Sequence, residues 1–373
     1  MKAWPVLGIS LIEFILLLAH WFLFHTWIAF WDPLSPNTIL ILRIMPLVLA
    51  FSFIIAALLG FKFANPFVGL IYKVAAVWLG FLNYLFLGAC LSWLTWYALL
   101  ISRLSPNPTA ARPWIASVLS AIALAAGIYG LLNARWVRVR RITVTLPGLP
   151  ASWRGRRAVL LSDLHLGNIN GAAFSRRMVA LAAGLLPDIV FIPGDLFDGS
   201  KADLDKLAAP FKELAAPFGI YFSTGNHEEF GGTEHYLEAV TRAGMRVLHN
   251  EKVTVDGLHI AGVPFGDSSS PIRLHAALDG MRLSPNEASI LLSHMPSRLP
   301  IVERAGVSLQ VSGHTHGGQI FPFTLPTRRV FGKFTYGLQR FGSLHVYTSS
   351  GAGTWGPPMR VGTHPEIVLL EFA

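Results

Sequence analysis

Four long apolar runs dominate the first third of the chain. They extend over Val6 to Trp27, Thr38 to Phe61, Val74 to Ile101 and Ile115 to Leu132. A helix that crosses a hydrocarbon core of about 30 Å needs about 20 apolar residues, so the pattern predicts four transmembrane helices. The first run lies where a signal peptide would, but its length, its Glu13 and its Trp and Phe content argue against cleavage.

From Arg157 onward the pattern changes to short apolar stretches that alternate with helical periodicity. Eight stretches predict buried strands: Ala158 to Ser162, Ile189 to Pro193, Ile220 to Thr224, His259 to Val263, Ile290 to Ser293, Leu309 to Ser312, Leu344 to Thr348 and Ile367 to Leu370. Five segments predict helices: Ala173 to Gly184, Leu204 to Ala215, Tyr236 to Ala243, Ile272 to Met281 and Leu299 to Ala305. This alternation indicates an α/β domain.

Charge is distributed unevenly along this chain, which has a net charge of +9. Glu13 and Asp32 are the only acidic residues before position 142. Seven arginines follow the last apolar run with no acidic residue between them: Arg135, Arg138, Arg140, Arg141, Arg154, Arg156 and Arg157. A basic cluster beside a hydrophobic helix favours anionic lipid headgroups as the partner rather than nucleic acid.

These patterns divide the chain into a membrane domain (residues 1–134), a basic juxtamembrane linker (135–156) and a C-terminal domain (157–373). If the four runs cross the membrane, Lys2, Lys62, Lys73 and the seven arginines lie on one side of it, and Arg103 and Arg112 lie on the other. The positive-inside rule therefore predicts that both termini and the C-terminal domain are cytoplasmic.

Five polar clusters in the C-terminal domain each follow a predicted strand. They are Asp163-Leu164-His165, Gly194-Asp195-Leu196-Phe197-Asp198, Gly225-Asn226-His227-Glu228, Ser293-His294-Met295 and Gly313-His314-Thr315-His316-Gly317. Any one of them has an ordinary structural explanation, such as a helix cap or a turn, but five at strand ends indicate a shared site. The glycines are expected to turn the backbone sharply at Gly194, Gly225 and Gly313.

The chemistry of these side chains points to a metal centre. Asp, His and Asn are hard or borderline ligands that suit Mn²⁺, Fe or Zn²⁺. Cys90 is the only cysteine, which excludes a disulfide or a thiolate zinc site within one chain.

The five clusters resemble the motifs of the calcineurin-like metallophosphoesterases, D-x-H, GDxxD, GNH[DE], H and GHxH, present here in this order as DLH, GDLFD, GNHE, SHMP and GHTHGGQ. The resemblance covers about residues 157 to 373 and implies a two-sheet sandwich flanked by helices. The apolar region, GHTHGGQ and Ser350-Gly351-Ala352-Gly353 are most similar to the bacterial membrane-linked branch. Some members of that branch are linked to cleavage of the lipid precursor UDP-2,3-diacylglucosamine, which implies a place in a bacterial inner membrane.

The resemblance implies two divalent metal ions, with Mn²⁺ expected and Fe, Zn²⁺ or Mg²⁺ as alternatives. One ion would be held by Asp163, His165 and His316, the second by Asn226, His294 and His314, and Asp195 would bridge both. A carboxylate can do so because its two oxygens span ions about 3.5–4 Å apart.

The resemblance also implies a histidine that is not a ligand. His227 would protonate the leaving group or stabilise charge on the phosphoryl oxygens, with the carboxylate of Asp198 orienting its ring. Asn168 is expected to line the site and Arg360 to meet a phosphate through a bidentate fork. For these last two, a role as ordinary structural surface residues is the alternative.

The sequence thus predicts a membrane-anchored hydrolase of a phosphate ester or diphosphate, with a lipid-linked substrate such as UDP-2,3-diacylglucosamine. One alternative is a phosphodiesterase or phosphatase for soluble nucleotides. Another is a membrane sensor or transporter with a regulatory metal domain. Substrate choice is expected to lie in the loops Gly231 to His235, Phe265 to Pro271 and Pro322 to Phe341. The aromatic residues of Val330 to Tyr336 are expected either to contact acyl chains or to belong to the core.

Overall fold

The computed structural model describes residues 3–104, 106–230 and 232–373. Its chain divides into two compact units, one reaching to Leu132 and including Gly356–Met359, and one formed by Asn133–Trp355 and Arg360–Ala373. Lys2 and Gly231, named above, lie outside the described residues.

Long apolar helices form the first unit. They are α1 (Ala3–Phe30), α2 (Pro36–Lys62), α3 (Pro66–Ser102) and α4 (Arg112–Arg135), whose last residues, from Asn133, belong to the second unit. Within the described residues, four helices are long and apolar enough to cross a membrane, as the apolar runs predicted. Helix α3 begins at Pro66 rather than at Val74, because Asn65 caps it by accepting a hydrogen bond from the Val68 amide at 2.9 Å.

Two pairs of polar side chains inside this helical unit are hydrogen-bonded between helices. Trp78 Nε1 donates to His20 Nε2 at 2.9 Å, and Trp93 Nε1 donates to Thr26 Oγ1 at 2.8 Å. These bonds connect α1 with α3 and satisfy groups that would be costly to leave unpaired in an apolar environment.

The second unit contains two six-stranded sheets in the described part of the chain. The first has the order β1-β12-β2-β3-β4-β5 and the second β10-β11-β9-β8-β7-β6. The strands are β1 (Arg138–Val144), β2 (Arg157–Leu160), β3 (Ile189–Ile192), β4 (Ile220–Phe222), β5 (Arg246–Val247), β6 (Glu251–Val255), β7 (Leu258–Val263), β8 (Ser289–Ser293), β9 (Leu309–Ser312), β10 (Gly337–Phe341), β11 (Leu344–Thr348) and β12 (Glu366–Phe372).

Helices α5 (Ala172–Ala183), α6 (Leu204–Ala208) and α8 (Glu234–Arg242) pack on the first sheet, and α10 (Pro271–Met281) and α11 (Leu299–Arg304) pack on the second. The remaining helices are α7 (Asn226–Glu229), α9 (Phe265–Ser269) and α12 (Thr324–Phe331). One apolar cluster packs β2 and β3 against α5 and α8, a second lies between the two sheets, and a third packs β7, β8 and β11 against α10 and α11. The central strands are buried on both faces, which explains why they read as continuous apolar stretches. This architecture confirms the predicted α/β sandwich flanked by helices.

The segment predicted as a basic linker is part of the folded domain. Its residues Arg138–Val144 form β1, which pairs in parallel with β12, and Trp153 is completely buried. Two of its arginines pair with acidic side chains, Arg141 with Glu371 at 3.8 Å and Arg156 with Asp188 at 2.9 Å. The linker prediction was wrong because the density of arginines concealed a short strand with alternating apolar residues.

All eight predicted strands are present, whereas some helices and loops differ from the prediction. The helix predicted from Leu204 ends at Ala208 and continues as a 3₁₀ turn, because Pro210 cannot donate the next backbone bond. Two of the loops expected to choose the substrate contain helices, α9 and α12.

Candidate metal centre

Three neighbouring strands of the first sheet carry candidate ligands at their carboxyl ends. Strands β2, β3 and β4 run parallel to one another, and they lead into Asp163, Asp195 and Asn226. Carboxyl ends of parallel strands meet at one edge of a sheet, where ligands are commonly bound. The fold therefore brings three motifs that are distant in sequence to one edge.

The second sheet supplies the remaining ligands in the same way. Strands β8 and β9 are parallel neighbours, and they end next to His294 and His314. His294 Nε2 lies 3.0 Å from Asp195 Oδ2, so the ligand-bearing edges of the two sheets converge.

One group of side chains contains Asp163, His165 and His316, whose ligand atoms all lie within 4.8 Å of one another. His165 Nε2 is 3.0 Å from His316 Nε2, and Asp163 Oδ1 is 3.4 Å from the same His316 nitrogen. All three side chains are buried.

A second group joins Asp195, His294 and His314 within the same distance limit. Asn226 belongs beside it, since its Oδ1 lies 2.9 Å from His314 Nδ1. Asp195 Oδ2 is also 3.8 Å from His165 Nε2, which places this carboxylate between the two groups. The seven residues predicted as ligands therefore lie together in the structure.

Backbone strain is concentrated at the same residues. Five candidate ligands have left-handed backbones: Asp163 (φ 52°), His165 (φ 46°), Asp195 (φ 51°), His314 (φ 68°) and His316 (φ 49°). This conformation costs about 1–3 kcal/mol for a residue other than glycine and persists only where the surrounding structure enforces it. The folded state is therefore less stable than it would be with ordinary backbone angles at these residues, and the strained angles direct the candidate ligands.

Glu228 is a buried residue that sequence analysis did not single out as functional. Its carboxylate accepts hydrogen bonds from the backbone amides of Asp195 (3.0 Å), Phe197 (2.9 Å) and Gly225 (2.8 Å). Those amides flank two of the ligand loops, so Glu228 fixes Asp195 relative to Asn226. Its presence in the GNHE motif was the available signal.

The environment keeps most of the imidazoles neutral. Burial lowers the pKa of His165 and His316 well below the usual value and lowers that of His314 to about 4. For His294, burial acts in the same direction, but the Asp195 carboxylate outweighs it and raises the pKa to about 9. Neutral imidazoles have a free lone pair for a metal ion.

One buried ring nitrogen supports the presence of a cation site. His294 Nε2 lies 3.0 Å from Asp195 Oδ2 but makes no hydrogen bond of good geometry to a described residue. A buried polar atom without a partner costs free energy, and a divalent cation would satisfy His294 Nε2 together with the adjacent carboxylate. The donor set of Asp, His and Asn also fits Mn²⁺, Fe or Zn²⁺.

His227 lies at the edge of the cluster, 7% exposed, with its ring centroid 4.7 Å from that of His165. Its Nδ1 is 2.9 Å from the backbone carbonyl oxygen of Asp198, so the protonated nitrogen donates to that carbonyl. The predicted partner was the Asp198 carboxylate, which instead accepts from the amides of Asn168 and Ser200. Asp198 does orient His227, but through its main chain.

Arg360 does not lie at the surface of the site as predicted. Its side chain is completely buried, and it donates to the backbone carbonyls of His316 (2.9 Å) and Gly353 (2.6 Å), with Nη2 3.1 Å from His316 Nδ1. It therefore positions His316 instead of meeting a phosphate. Asn168 is half-buried next to Asp198, and its Nδ2 has no hydrogen-bond partner among the described residues.

Glycine is required at the three motif positions for different structural reasons. Gly194 has the expected positive φ, 121°. Gly225 has an extended backbone that any residue can adopt, but a Cβ there would collide with the backbone nitrogen and the carboxylate of Asp195. A Cβ at Gly313 would collide with Ser162 and Asp163. The need at these last two positions is space rather than a turn.

Gly225→Ala is expected to displace Asp195 and to lower metal content and hydrolysis together. Overpacking of this kind typically costs about 1–3 kcal/mol of stability. Gly280→Ala is the matched control, since that glycine lies in α10 with nothing near its Cβ position, and alanine there should stabilise slightly. Metal analysis and thermal unfolding of both variants test this. Full metal content in Gly225→Ala would contradict the steric argument.

Aromatic rings surround the cluster, a feature that the motifs did not predict. Phe230 and Trp355 contact the ring of His227 at centroid distances of 5.0 and 5.7 Å, and they are 65% and 54% exposed. Phe265 and Phe331 contact His314 at 5.7 and 6.2 Å. Aromatic rings therefore flank the candidate metal centre on its His227 side and on its His314 side.

Gln319, the last residue of the GHTHGGQ motif, supports the aromatic side chains next to His227. The side chain of Gln319 accepts from the Trp355 amide at 3.0 Å and donates to the Trp355 carbonyl at 2.9 Å. This pair of bonds holds the Trp355 backbone beside His227.

Comparison with known proteins agrees with this geometry. The family model described as calcineurin-like phosphoesterase matches residues 156–318. The chain is 32% identical to a transmembrane protein with metallophosphoesterase domain from Danio rerio, over 80% of this chain and 72% of that protein. It is 32% identical to an uncharacterized metallophosphoesterase of Aquifex aeolicus, over 67% of this chain and 97% of the relative. A metallophosphoesterase of Campylobacter jejuni is 34% identical over 66% of each chain. The chain belongs to the calcineurin-like phosphoesterase family.

Proposed function

We propose that this protein is a membrane-anchored, dinuclear metal-dependent hydrolase of phosphate esters or diphosphates. The observation that carries the proposal is the convergence of the Asp and His groups, with Asp195 between them. Asp163, His165 and His316 would hold one ion, Asn226, His294 and His314 the other, and Asp195 would bridge them. Mn²⁺ is the proposed metal because the donor set combines hard oxygen ligands with imidazole.

The metals and the protein contribute different parts of the chemistry. When bound, two divalent ions provide a nucleophile at neutral pH and neutralise charge on the phosphoryl group. The chain itself orients the phosphate at the junction of the two sheets, and His227 faces the position of the leaving oxygen. Because Nδ1 of His227 donates to the Asp198 carbonyl, Nε2 is the nitrogen left to act on the leaving oxygen, and it can give up a proton only from the doubly protonated ring.

We propose a lipid-linked diphosphate, such as UDP-2,3-diacylglucosamine, as the substrate. Exposed apolar side chains near the site support this. Phe331 lies beside His314, and Phe323, Leu325 and Val330 on the same segment are 53%, 58% and 74% exposed. Apolar patches of this kind on a soluble face commonly mark lipid or protein contacts.

Phe331 and Phe334, both in the segment Val330 to Tyr336, have different surroundings. Phe334 packs against Phe341 at the margin of the third apolar cluster, which agrees with a core role. Phe331 alone is near the candidate ligands, so it is the residue proposed to contact an acyl chain.

Phe331→Ser is expected to reduce kcat/KM for a long-chain diacyl diphosphate while leaving a water-soluble analogue with the same diphosphate unaffected. Loss of one apolar contact of this size corresponds to about tenfold or more. Both substrates are assayed with the full-length protein in detergent and in liposomes. The control is Leu186→Ser, which removes an exposed apolar side chain after α5. Equal kcat/KM for the two substrates, unchanged by Phe331→Ser, would reject the lipid substrate.

A soluble nucleotide is the second candidate substrate, and one observation favours it. The exposed rings of Phe230 and Trp355 flank His227 on the proposed leaving-group side, where they could stack on a base. Base stacking on an aromatic ring contributes about 1–3 kcal/mol. Preference for the soluble analogue in the same assay, lost in Trp355→Ala, would establish this alternative.

We also propose that both termini and the second unit are cytoplasmic, in a bacterial inner membrane. The four candidate spans among the described residues support termini on the same side. Lys2, Lys62, Lys73 and the seven arginines after the last apolar run outnumber Arg103 and Arg112 on the other side. A C-terminal alkaline phosphatase fusion, which is active only after export, is expected to be inactive, and a green fluorescent protein fusion fluorescent. The reverse pattern would overturn the orientation.

A further inference from the structure

A polar cavity of about 530 Å³ lies next to the candidate metal centre within the second unit. Its walls are formed by Arg328 on α12, Lys333 in the following turn, and Thr363 and His364 in the segment before β12. Gly317, which directly follows His316, is also a lining residue. The candidate ligands are not among its lining residues, so this cavity is separate from the metal cluster.

The lining of the cavity is suited to an anion. Arg328 and Lys333 supply positive charge, Thr324, Thr335 and Thr363 supply hydroxyl groups, and the lining residues include no carboxylate. The Arg328 carbonyl accepts from the Gly332 amide, but its guanidinium has no hydrogen bond or ion pair among the described residues and is available for a ligand.

The charged groups around the lining are of both signs. Lys333 Nζ donates one hydrogen bond, to the Arg340 carbonyl at 2.9 Å, which leaves two of its three donors. The Glu366 carboxylate does not line the cavity, but it accepts from two lining residues, from Tyr336 Oη at 2.7 Å and from the Ser350 amide at 3.2 Å. The positive charge that faces a ligand therefore comes from Arg328 and Lys333.

The cavity is connected to the end of a candidate membrane span. Asn133 Nδ2 donates to the carbonyl of Thr363 at 2.9 Å and to that of Arg360 at 2.8 Å. Asn133 lies in the last turn of α4, and the candidate span ends at Arg135. The wall of the cavity at Thr363 is therefore hydrogen-bonded to the last turn of a helix that is long and apolar enough to cross a membrane.

Exposed apolar side chains on the segment that carries Arg328 narrow the choice of ligand. Leu325 lies before Arg328 and Val330 after it in α12, and they are 58% and 74% exposed, while Phe323 just before the helix is 53% exposed. A segment that combines exposed apolar residues with basic residues is typical of helices that lie in a membrane interface. A small soluble anion would contact only the basic side chains, whereas an anion with an acyl chain would contact the apolar ones as well.

We propose that this cavity binds the phosphate of an anionic phospholipid headgroup, held by Arg328 and Lys333, while Leu325 and Val330 contact the acyl region. The guanidinium of Arg328 can pair with two phosphate oxygens, and Lys333 adds a point charge. A soluble phosphate ester carries the same group and is the competing source. The inference does not depend on the substrate of the metal centre, because the lipid is bound and not hydrolysed.

Native mass spectrometry of the full-length protein tests this in micelles doped with phosphatidylglycerol or with phosphatidylcholine. The wild type is expected to retain phosphatidylglycerol preferentially. Arg328→Gln and Lys333→Gln should each reduce that retention about fivefold, as expected for one basic residue at a headgroup. The control is Arg329→Gln, an adjacent exposed arginine that does not line the cavity. Circular dichroism and metal content verify that each variant is folded.

The outcomes separate the possible ligands. If Arg329→Gln lost as much phosphatidylglycerol retention as the other two variants, the lipid would be attracted to a basic helix without a specific site, and the proposed headgroup site would be overturned. Unchanged retention in Arg328→Gln and Lys333→Gln would do the same. Inorganic phosphate is titrated in parallel by calorimetry into the wild type and Arg328→Gln, so that binding at the metal centre cancels in the difference. An Arg328-dependent phosphate signal without lipid retention would assign the cavity to a soluble phosphate and overturn the lipid proposal.

Discussion

Asp195→Asn is expected to abolish hydrolysis and to lower the metal content of the protein. The carboxylate is 2% exposed and lies 3.0 Å from His294 and 3.8 Å from His165, each in a different ligand group. An amide has the same shape but lacks the negative charge that would hold two cations together. Metal ions supply several kcal/mol of transition-state stabilisation, so the rate should fall by about 10³-fold or more.

The measurement combines metal analysis with turnover on the same preparation. Asp205→Asn is the matched control, because Asp205 is an exposed carboxylate whose bond to Arg242 is at the surface, and its loss should change neither value. Glu228 still holds the backbone of residue 195 in the variant, so a folded protein is expected. Near-normal metal content and turnover in Asp195→Asn would refute the bridging assignment.

His227→Ala is expected to lose about 10²- to 10⁴-fold in rate, the usual range for a general acid, with metal content unchanged. The separation of the two effects is the important result, because the ligand atom of His227 also lies within 4.8 Å of those of His165 and Asp195. Loss of metal in His227→Ala would make His227 a ligand. The control is His275→Ala, which removes an exposed histidine from α10.

A series of leaving groups distinguishes the two roles proposed for His227. A general acid matters most when the leaving oxygen is strongly basic, so His227→Ala should affect an alkyl phosphate more than a nitrophenyl phosphate. If His227 instead stabilises charge on the phosphoryl oxygens, both substrates should lose activity equally. The hydrogen bond from Nδ1 to the Asp198 carbonyl is compatible with either role, since it fixes the ring orientation.

Membership of a family does not by itself decide the substrate. The ligands that identify the family lie at strand ends, whereas the walls around them come from α9, α12 and the chain near Trp355. The rings next to His227 are those of Phe230 and Trp355, whereas those next to His314 belong to Phe265 and Phe331. Substitutions at Phe331 and Trp355 therefore test the lipid and the nucleotide proposals separately.

Local sequence patterns were sufficient to predict the long apolar helices and eight of the twelve described strands, and the family resemblance of the five motifs supplied the candidate ligands. Apolar runs of about 20 residues specify membrane helices through length alone, and short runs buried on both faces specify central strands. Each of the five motifs follows a strand directly, so that its polar residues are confined to a strand end. These features depend on neighbours in sequence, which is why they could be read before any tertiary contact was known.

Other features depend on contacts between distant segments and could not be read in this way. The strand character of Arg138–Val144 arises from pairing with β12 at the other end of the chain, and the many arginines of the segment gave the opposite indication. Arg360 looked like a phosphate-binding residue, but its burial beneath His316 is decided by the carbonyls of three separate loop residues.

By itself the sequence determined that four apolar helices precede an α/β domain of this family with seven candidate ligands in five motifs. Only the tertiary structure decided how those ligands are directed: through left-handed backbones at five of them, through the Glu228 carboxylate that joins two loops, and through the main-chain carbonyl of Asp198 behind His227. The physical reason is that side-chain identity is local, whereas strain and buried hydrogen bonds are maintained only by the packed surroundings.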